Sequence, residues 1–290
     1  MSDDPWESSR VSPEGHGRYI ATIGPQWMLA MVPQGGIVAA IAARAMAAEL
    51  HTDDGAPQTL RSIHGVFASP VPDGLVEVEV VVLRRGRSMS QAQATVRAPG
   101  AKAGFTALAV FGAPRPGYEF TELAPPEVPD PDDCPSYRDP PPPESGWEER
   151  TPFPFWLEVL EGRPAIGHAP WDHSPRGAAE VCTWFRWEHP PVRSDGFVDP
   201  FGSIVLVDMM PNAVFEKIGP TEDRRFAPSV DLTVHLLGRA TPGWVLLHNK
   251  AHHAGDGYAS VEVALWDPRG PNGPELVAWA TQQMFFTPFI

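Results

Sequence analysis

The sequence predicts an α+β protein built twice over: two antiparallel sheets, each wrapped around one long apolar helix. Two equal spacings and one break in composition carry that prediction. An alanine-rich run opening on two glycines, GGIVAAIAARAMAAEL from Gly35, is matched by GSIVLVDMMPNAVFEKIG from Gly202, 167 residues later. The strand-like RSIHGVF places His64 where PSVDLTV places Asp231, and that separation is again 167. Between the copies the chain turns to APPEVPDPDDCPSYRDPPPPESG, dense in proline and acid, which continues neither helix nor sheet and reads as a connector. The expected division is an N-terminal unit over 1–113, a Pro-rich acidic linker over 114–150 and a C-terminal unit over 151–290.

Each element has its own local reason. Alanine, isoleucine and methionine after Gly36 make a good helix former with small side chains, suited to close packing beneath a sheet. In VEVEVVVL, Val76, Val78, Val80 and Val82 alternate with Glu77, Glu79 and Val81, and in the second copy Val261, Val263 and Leu265 alternate with Ser260 and Glu262. That period of two belongs to antiparallel strands with one covered face. In SVDLTVH, Val230, Leu232 and Val234 form one face of a strand while Ser229, Asp231, Thr233 and His235 form the other. A sheet curled round one apolar helix buries both, and two such units in one chain have the layout of a pseudo-symmetric dimer.

Composition narrows the function. The 290 residues are 42% hydrophobic and include ten tryptophans, which argues for a globular chain. With 22 basic against 36 acidic residues the formal charge is −14, a field that repels nucleic acid. The opening MSDDPWESS has no basic or apolar targeting region, and two cysteines, Cys134 and Cys182, make no disulfide framework, so a cytoplasmic setting is expected. The most apolar segments are shorter than the ~20 residues a membrane span needs.

The order of motifs resembles a known family. PQGGIVAAIAARA, then LRSIHGVFASPV and VVLRRGRSMSQAQATV, then SVDLTVHLLG, VLLHNKAHHAGDGYASVEV and VAWATQQMFF, are similar to the double hot-dog acyl-CoA thioesterases of the acyl-CoA thioesterase II type, over nearly all of the chain outside the connector. The resemblance implies a double hot-dog fold and a lipid-metabolic enzyme that hydrolyses fatty acyl-CoA to free acid and CoA. It implies no cofactor, and association into a homo-oligomer. In that family an Asp, a Thr or Ser and a Gln hold the attacking water. Asp231 in SVDLTVH matches the Asp, Gln282 in ATQQMFF matches the Gln, and His253 in NKAHHAGDG falls at the place of the hydroxyl.

The residues add their own candidates. Gly35 and Gly36 leave the first turn of a helix bare, so its N–H groups can face a carbonyl oxygen or oxyanion; the same glycines also suit close packing. Arg84, Arg85 and Arg87 form the densest basic cluster near a turn and are the candidates for the CoA phosphates, with Arg224 and Arg225 a second cluster. His252, His253 and Asp256 are metal-ligand types, but adjacent strand residues point to opposite faces, so no metal site is expected. Acyl length depends on how Met31, Met209 and Met210 pack. Two rival readings stay open. One is a hot-dog dehydratase acting on enoyl or β-hydroxyacyl thioesters, for which His64, the repeat-mate of Asp231, is the catalytic candidate. The other is a non-catalytic acyl-CoA-binding protein.

Overall fold

The structure is a computed structural model that describes residues 4–29, 31–51, 57–145, 153–168, 172, 174, 176–209, 211–219, 225–270 and 273–288. Met210 and Arg224, named above, lie outside the described residues.

Twelve strands join in one antiparallel sheet. The first six are β1 (Ser12–Gly15), β2 (Arg18–Ile23), β3 (Thr59–Phe67), β4 (Gly74–Arg84), β5 (Met89–Arg97) and β6 (Phe105–Gly112). The second six are β7 (Leu160–Ile166), β8 (Glu180–Trp187), β9 (Asp231–Leu236), β10 (Val245–Gly255), β11 (Tyr258–Asp267) and β12 (Glu275–Phe285). Their spatial order is β1-β2-β4-β5-β6-β3-β9-β12-β11-β10-β8-β7. Read outward from the central β3/β9 pair, the second six repeat the first six strand for strand. Gly65 on β3 pairs with Leu232 on β9, its own mate 167 residues on, and His64 with Thr233. A pseudo-twofold axis therefore passes through the Gly65–Leu232 pair.

Two expectations change. The two predicted sheets are one, because β3 and β9 pair with each other and remove what would otherwise be two exposed edges. The second helix is also not long. α1 spans Gly35–Leu50 as one unbroken rod, and α2 (Pro154–Glu158) is a short helix before β7. The run from Gly202 yields α3 (Pro200–Val207) and a separate α4 (Pro211–Ile218). Proline has no N–H to donate to a preceding turn, so Pro211 opens a new helix instead of continuing α3, which ends with Asp208 at its C-cap.

α1 is apolar all round, and Ile37 to Ala43, Ala45 and Met46 are all buried. It packs on β3, β4, β5 and β6 and, side by side, on α3; α3 packs on β9, β11 and β12. The sheet's covered face holds Val76, Val78, Val80, Val261, Val263 and Leu265, as their alternation implies. The connector is not a free spacer. Its later part wraps the edge strand β7 and its neighbour: Tyr137 N–H donates to Gly162 O at 2.9 Å, and Trp184 Nε1 donates to Pro129 O at 2.9 Å. Among the described residues no helix is long and apolar enough to cross a membrane.

Candidate active site

α1 and α3 run antiparallel, so the positive N-terminus of α1 meets the negative C-terminus of α3. Gln34, 2% exposed, caps the first: its Oε1 accepts from Ile37 N–H at 3.0 Å. Gly35 and Gly36 let the two helices touch. A Cβ on Gly36 would sit 2.6 Å from Val205 Cα, and one on Gly35 would sit 2.9 Å from Asp208 Oδ2. Gly36 thus packs against α3, while Gly35 meets both Asp208 and Phe67 of β3.

At this junction the carboxylate of Asp208 is held from two sides. Gly36 N–H donates to Oδ2 at 2.7 Å, and Gln282 Nε2 donates to Oδ1 at 2.7 Å. The same Nε2 donates to Ser229 Oγ at 2.5 Å. Asp208 keeps some solvent contact as a residue, yet its carboxylate is densely enclosed. Burial pushes its pKa up to about 7, against the downward pull of the Gln282, Gly36 and Gly35 hydrogen bonds. Gln282 is 3% exposed, and its Oε1 has no partner among the described residues. A buried amide oxygen without a donor is where a water or substrate proton fits. An acid poised near neutrality, a hydroxyl and an amide with a free acceptor can together hold and activate a water.

The sequence-predicted residues fall differently. Gln282 is in the cluster and Gly36 touches it. Asp231 does not join them: it lies on the outer face of the sheet opposite Val66, and its Oδ1 accepts from Gln283 N–H at 2.8 Å. His253 pairs in register with Ser260, and Ser260 with Gln283. Cross-strand partners share a face, and Gln283 next to Gln282 points outward, so His253 lies across the sheet from the cluster. The hydroxyl comes instead from Ser229. Ser229 bridges Met284 while Thr233 pairs with Thr281, a one-residue shift in register. That bulge turns Ser229 inward, against the alternation that groups it with Asp231.

Three further expectations concern the first-turn amide, the arginines and His64. The Gly36 amide faces a carboxylate, Asp208, and is not free for a substrate oxyanion. Arg85 caps the opposite end of α1, donating to Leu50 O at 3.1 Å and Glu49 O at 2.9 Å; at 1.5 Å rise per residue that lies ~20 Å from Gly36. Arg84 and Arg87 are exposed beside it. His64 is on the outer face, 2.7 Å from Thr233 Oγ1, with no place in the Asp208 cluster. Asp256 and Gly257, both at positive φ (53° and 80°), form the tight turn between β10 and β11. Cavities of about 320 Å³, beside Trp6 and Arg44, and about 300 Å³, under the connector beside Trp184 and Trp266, lie away from Asp208.

Asp208, absent from the candidates read from the sequence, has one signal there. It is the lone charge in the apolar run SIVLVDMM, where an acid is costly to bury without partners.

Comparison with known families settles the lineage. The profile of the acyl-CoA thioesterase N-terminal domain matches residues 23–112, and that of the acyl-CoA thioesterase C-terminal domain matches 131–286. The chain belongs to the acyl-CoA thioesterase family. Members of this family are thioester hydrolases, and the C-terminal match begins inside the wrapped connector. Among solved structures, this thioesterase is similar to a hot-dog-fold protein of Alicyclobacillus acidocaldarius, at TM-score 0.75 and 23% identity over 98% of both chains. It is similar to the tesB protein of Mycobacterium avium subspecies paratuberculosis, at 0.73 and 21% over 97% of both chains. It is likewise similar to an acyl-CoA thioesterase II of Mycobacterium marinum, at 0.71 and 18% over 99% of both chains. At these identities the likeness speaks to the hot-dog fold. A search of curated proteins finds no match.

Proposed function

We propose that this thioesterase hydrolyses fatty acyl-CoA with a water held between Asp208, Ser229 and Gln282. The observation that carries the reading is the Asp208 carboxylate, fixed by Gly36 N–H and Gln282 Nε2 and raised by burial to a pKa of about 7. Ionised Asp208 takes a proton from the water as its oxygen bonds to the thioester carbon. The tetrahedral adduct then collapses, the C–S bond breaks, and the proton passes from Asp208 to the departing sulfur, giving CoA thiol and free acid. The N-terminal dipole of α1, opened by Gly35 and Gly36, favours the negative charge developing nearby. Phe67 lies against Gly35 and offers the acyl chain an apolar wall.

The same reading makes each half, 1–113 and 151–290, one hot-dog unit, with 114–150 joining them. The palindromic strand order and the Gly65–Leu232 axis support that division.

The test is release of free thiol over a ladder of acyl-CoA lengths, with wild type and Asp208→Asn. Wild type releases thiol and Asp208→Asn does not. Equal turnover by the two proteins, or conversion of 2-enoyl thioesters without thiol release, overturns the proposal.

A further inference from the structure

We infer that Gln34 is a positioning residue that clasps the end of α3 to the start of α1 and so sets where the Asp208 carboxylate stands. The inference rests on the reading of Asp208 as the base.

Three hydrogen bonds meet on this one amide. Oε1 accepts from Ile37 N–H at 3.0 Å, and Nε2 donates to Val205 O at 3.0 Å and to Asp208 O at 3.0 Å. A cap for α1 needs only the first. The other two join Gln34 to a helix 165 or more residues away and hold the backbone of the residue whose side chain receives Gly36 N–H. Nε2 is therefore the donor that fixes the last turn of α3 against the first turn of α1. The α3 carbonyls are also the negative end of that helix. Without Nε2 they stand uncompensated beside the carboxylate, and the Gly36 N–H loses its alignment. Both changes disfavour the ionised acid. The described groups around Asp208 are amides, a hydroxyl and an aromatic ring: Gly35 and Gly36 from α1, Gln282 from β12, Ser229 just before β9, and Phe67 of β3 beside Gly35. None of these is itself titratable, so the geometry set by Gln34 is the lever.

Two variants separate clasp from cap. Gln34→Ser keeps an uncharged acceptor that can cap the first turn of α1 but has no donor long enough to reach α3, and Gln34→Leu removes both. One readout is independent of activity: the pH dependence of urea unfolding, with and without Asp208→Asn in each background, reports the Asp208 midpoint. The other is kcat and KM with an acyl-CoA substrate. Both variants are expected to raise the midpoint by at least ~0.5 pH and to lower kcat by ~10-fold or more with KM nearly unchanged. If Gln34→Ser keeps the wild-type midpoint and kcat, Gln34 is merely a helix cap and the inference falls. If wild type turns over no thioester, the function reading falls alone, because the unfolding midpoint still reports whether Gln34 sets Asp208.

Discussion

The two ends of the α1/α3 pair occupy corresponding places in the duplicated chain and have been built for opposite purposes. At one end the N-terminus of α1 faces Asp208, held only by amides among the described residues, and burial lifts that acid to near neutrality. At the other, the N-terminus of α3 is capped by Asp199, whose Oδ1 accepts from Phe201 N–H at 3.1 Å. Its Oδ2 accepts from Arg44 Nη2 at 2.5 Å and Trp6 Nε1 at 3.3 Å. Arg44 is held over the Trp6 and Phe201 rings, 5.6 and 5.1 Å from their centroids. The Asp199 carboxylate is committed to its ion pair with Arg44. A carboxylate paired only with amides in an apolar surround can still trade its proton. Duplication supplied two helix termini, and the choice of partner decides which one does chemistry.

Asp208→Asn breaks the reactive end most completely. Loss of the base is expected to reduce turnover by ~10³-fold or more, read as thiol release. Stability moves the other way, with a definite sign. The folded pKa of about 7 lies above the ordinary carboxylate value of 3.8, so the native state holds the proton more tightly than the unfolded chain. Wild-type stability therefore falls as pH rises from about 4 to 7, and the penalty is fully present above 7. The Asn variant lacks it. It should be more stable at pH 8 by up to ~4 kcal/mol, since each tenfold difference in proton affinity between folded and unfolded chain is worth ~1.4 kcal/mol, while matching wild type at about pH 4. Urea unfolding at the two pH values checks this. In wild type, kcat/KM should rise with pH through a midpoint near 7.

Gly36→Ala is next. The new methyl meets Val205 Cα at 2.6 Å, a backbone atom with no rotamer to escape into, so α1 and α3 must part and carry Asp208 away from its amide. A shift of ~1 Å at a reacting group lowers rate by ~10²-fold, which steady-state kinetics at unchanged secondary structure by circular dichroism would show. Gln282→Ala removes the shared donor of Asp208 and Ser229 and the free Oε1, with an expected loss of ~10- to 100-fold in kcat.

These variants also mark what was legible in the sequence. The repeat was visible because a fold with a pseudo-twofold axis keeps its core helix and central strand at one offset, and 167 is the offset that pairs Gly65 with Leu232. Gln282 was visible through the family resemblance, and Gly36 because a double glycine at a helix start breaks a local rule. Asp208 was hidden by treating GSIVLVDMMPNAVFEKIG as one helix, although Pro211 forbids it. Ser229 was hidden by a bulge: periodicity assumes a constant register, and one shifted residue reverses the face. His253 filled the hydroxyl's place only while Ser229 was assigned outward.

Arg44→Met tests the other end of the pair. It leaves Asp199 without its cation and Trp6 and Phe201 without the charge between them. The pair is partly exposed, at 25% and 13% for the two side chains, so the loss is smaller than for a fully buried bridge. An unfolding loss of ~1–3 kcal/mol is expected, with turnover within ~3-fold of wild type. If this variant abolished hydrolysis, the two ends would not be independent and the contrast drawn between them would fail.

The smallest effect expected is at Asp231, on the face the helices do not cover. Its carboxylate accepts from Gln283 N–H at 2.8 Å, and asparagine can accept through its amide oxygen in the same place. Asp231→Asn should therefore leave turnover within ~2-fold and cost ~0.5–1.5 kcal/mol of stability at most, the net worth of one hydrogen bond. The outcome bears on more than one residue, because the bulge that orients Ser229 lies between the Ser229–Met284 bridge and the Thr233–Thr281 pair, and Asp231 ties the amide left over there. Asp231→Ala keeps no acceptor for that amide. A fall in kcat for Ala but not for Asn, with KM unchanged, would place Asp231 in the support of the Ser229 hydroxyl, whereas a comparable fall for Asn would return the carboxylate itself to the reaction and displace Asp208.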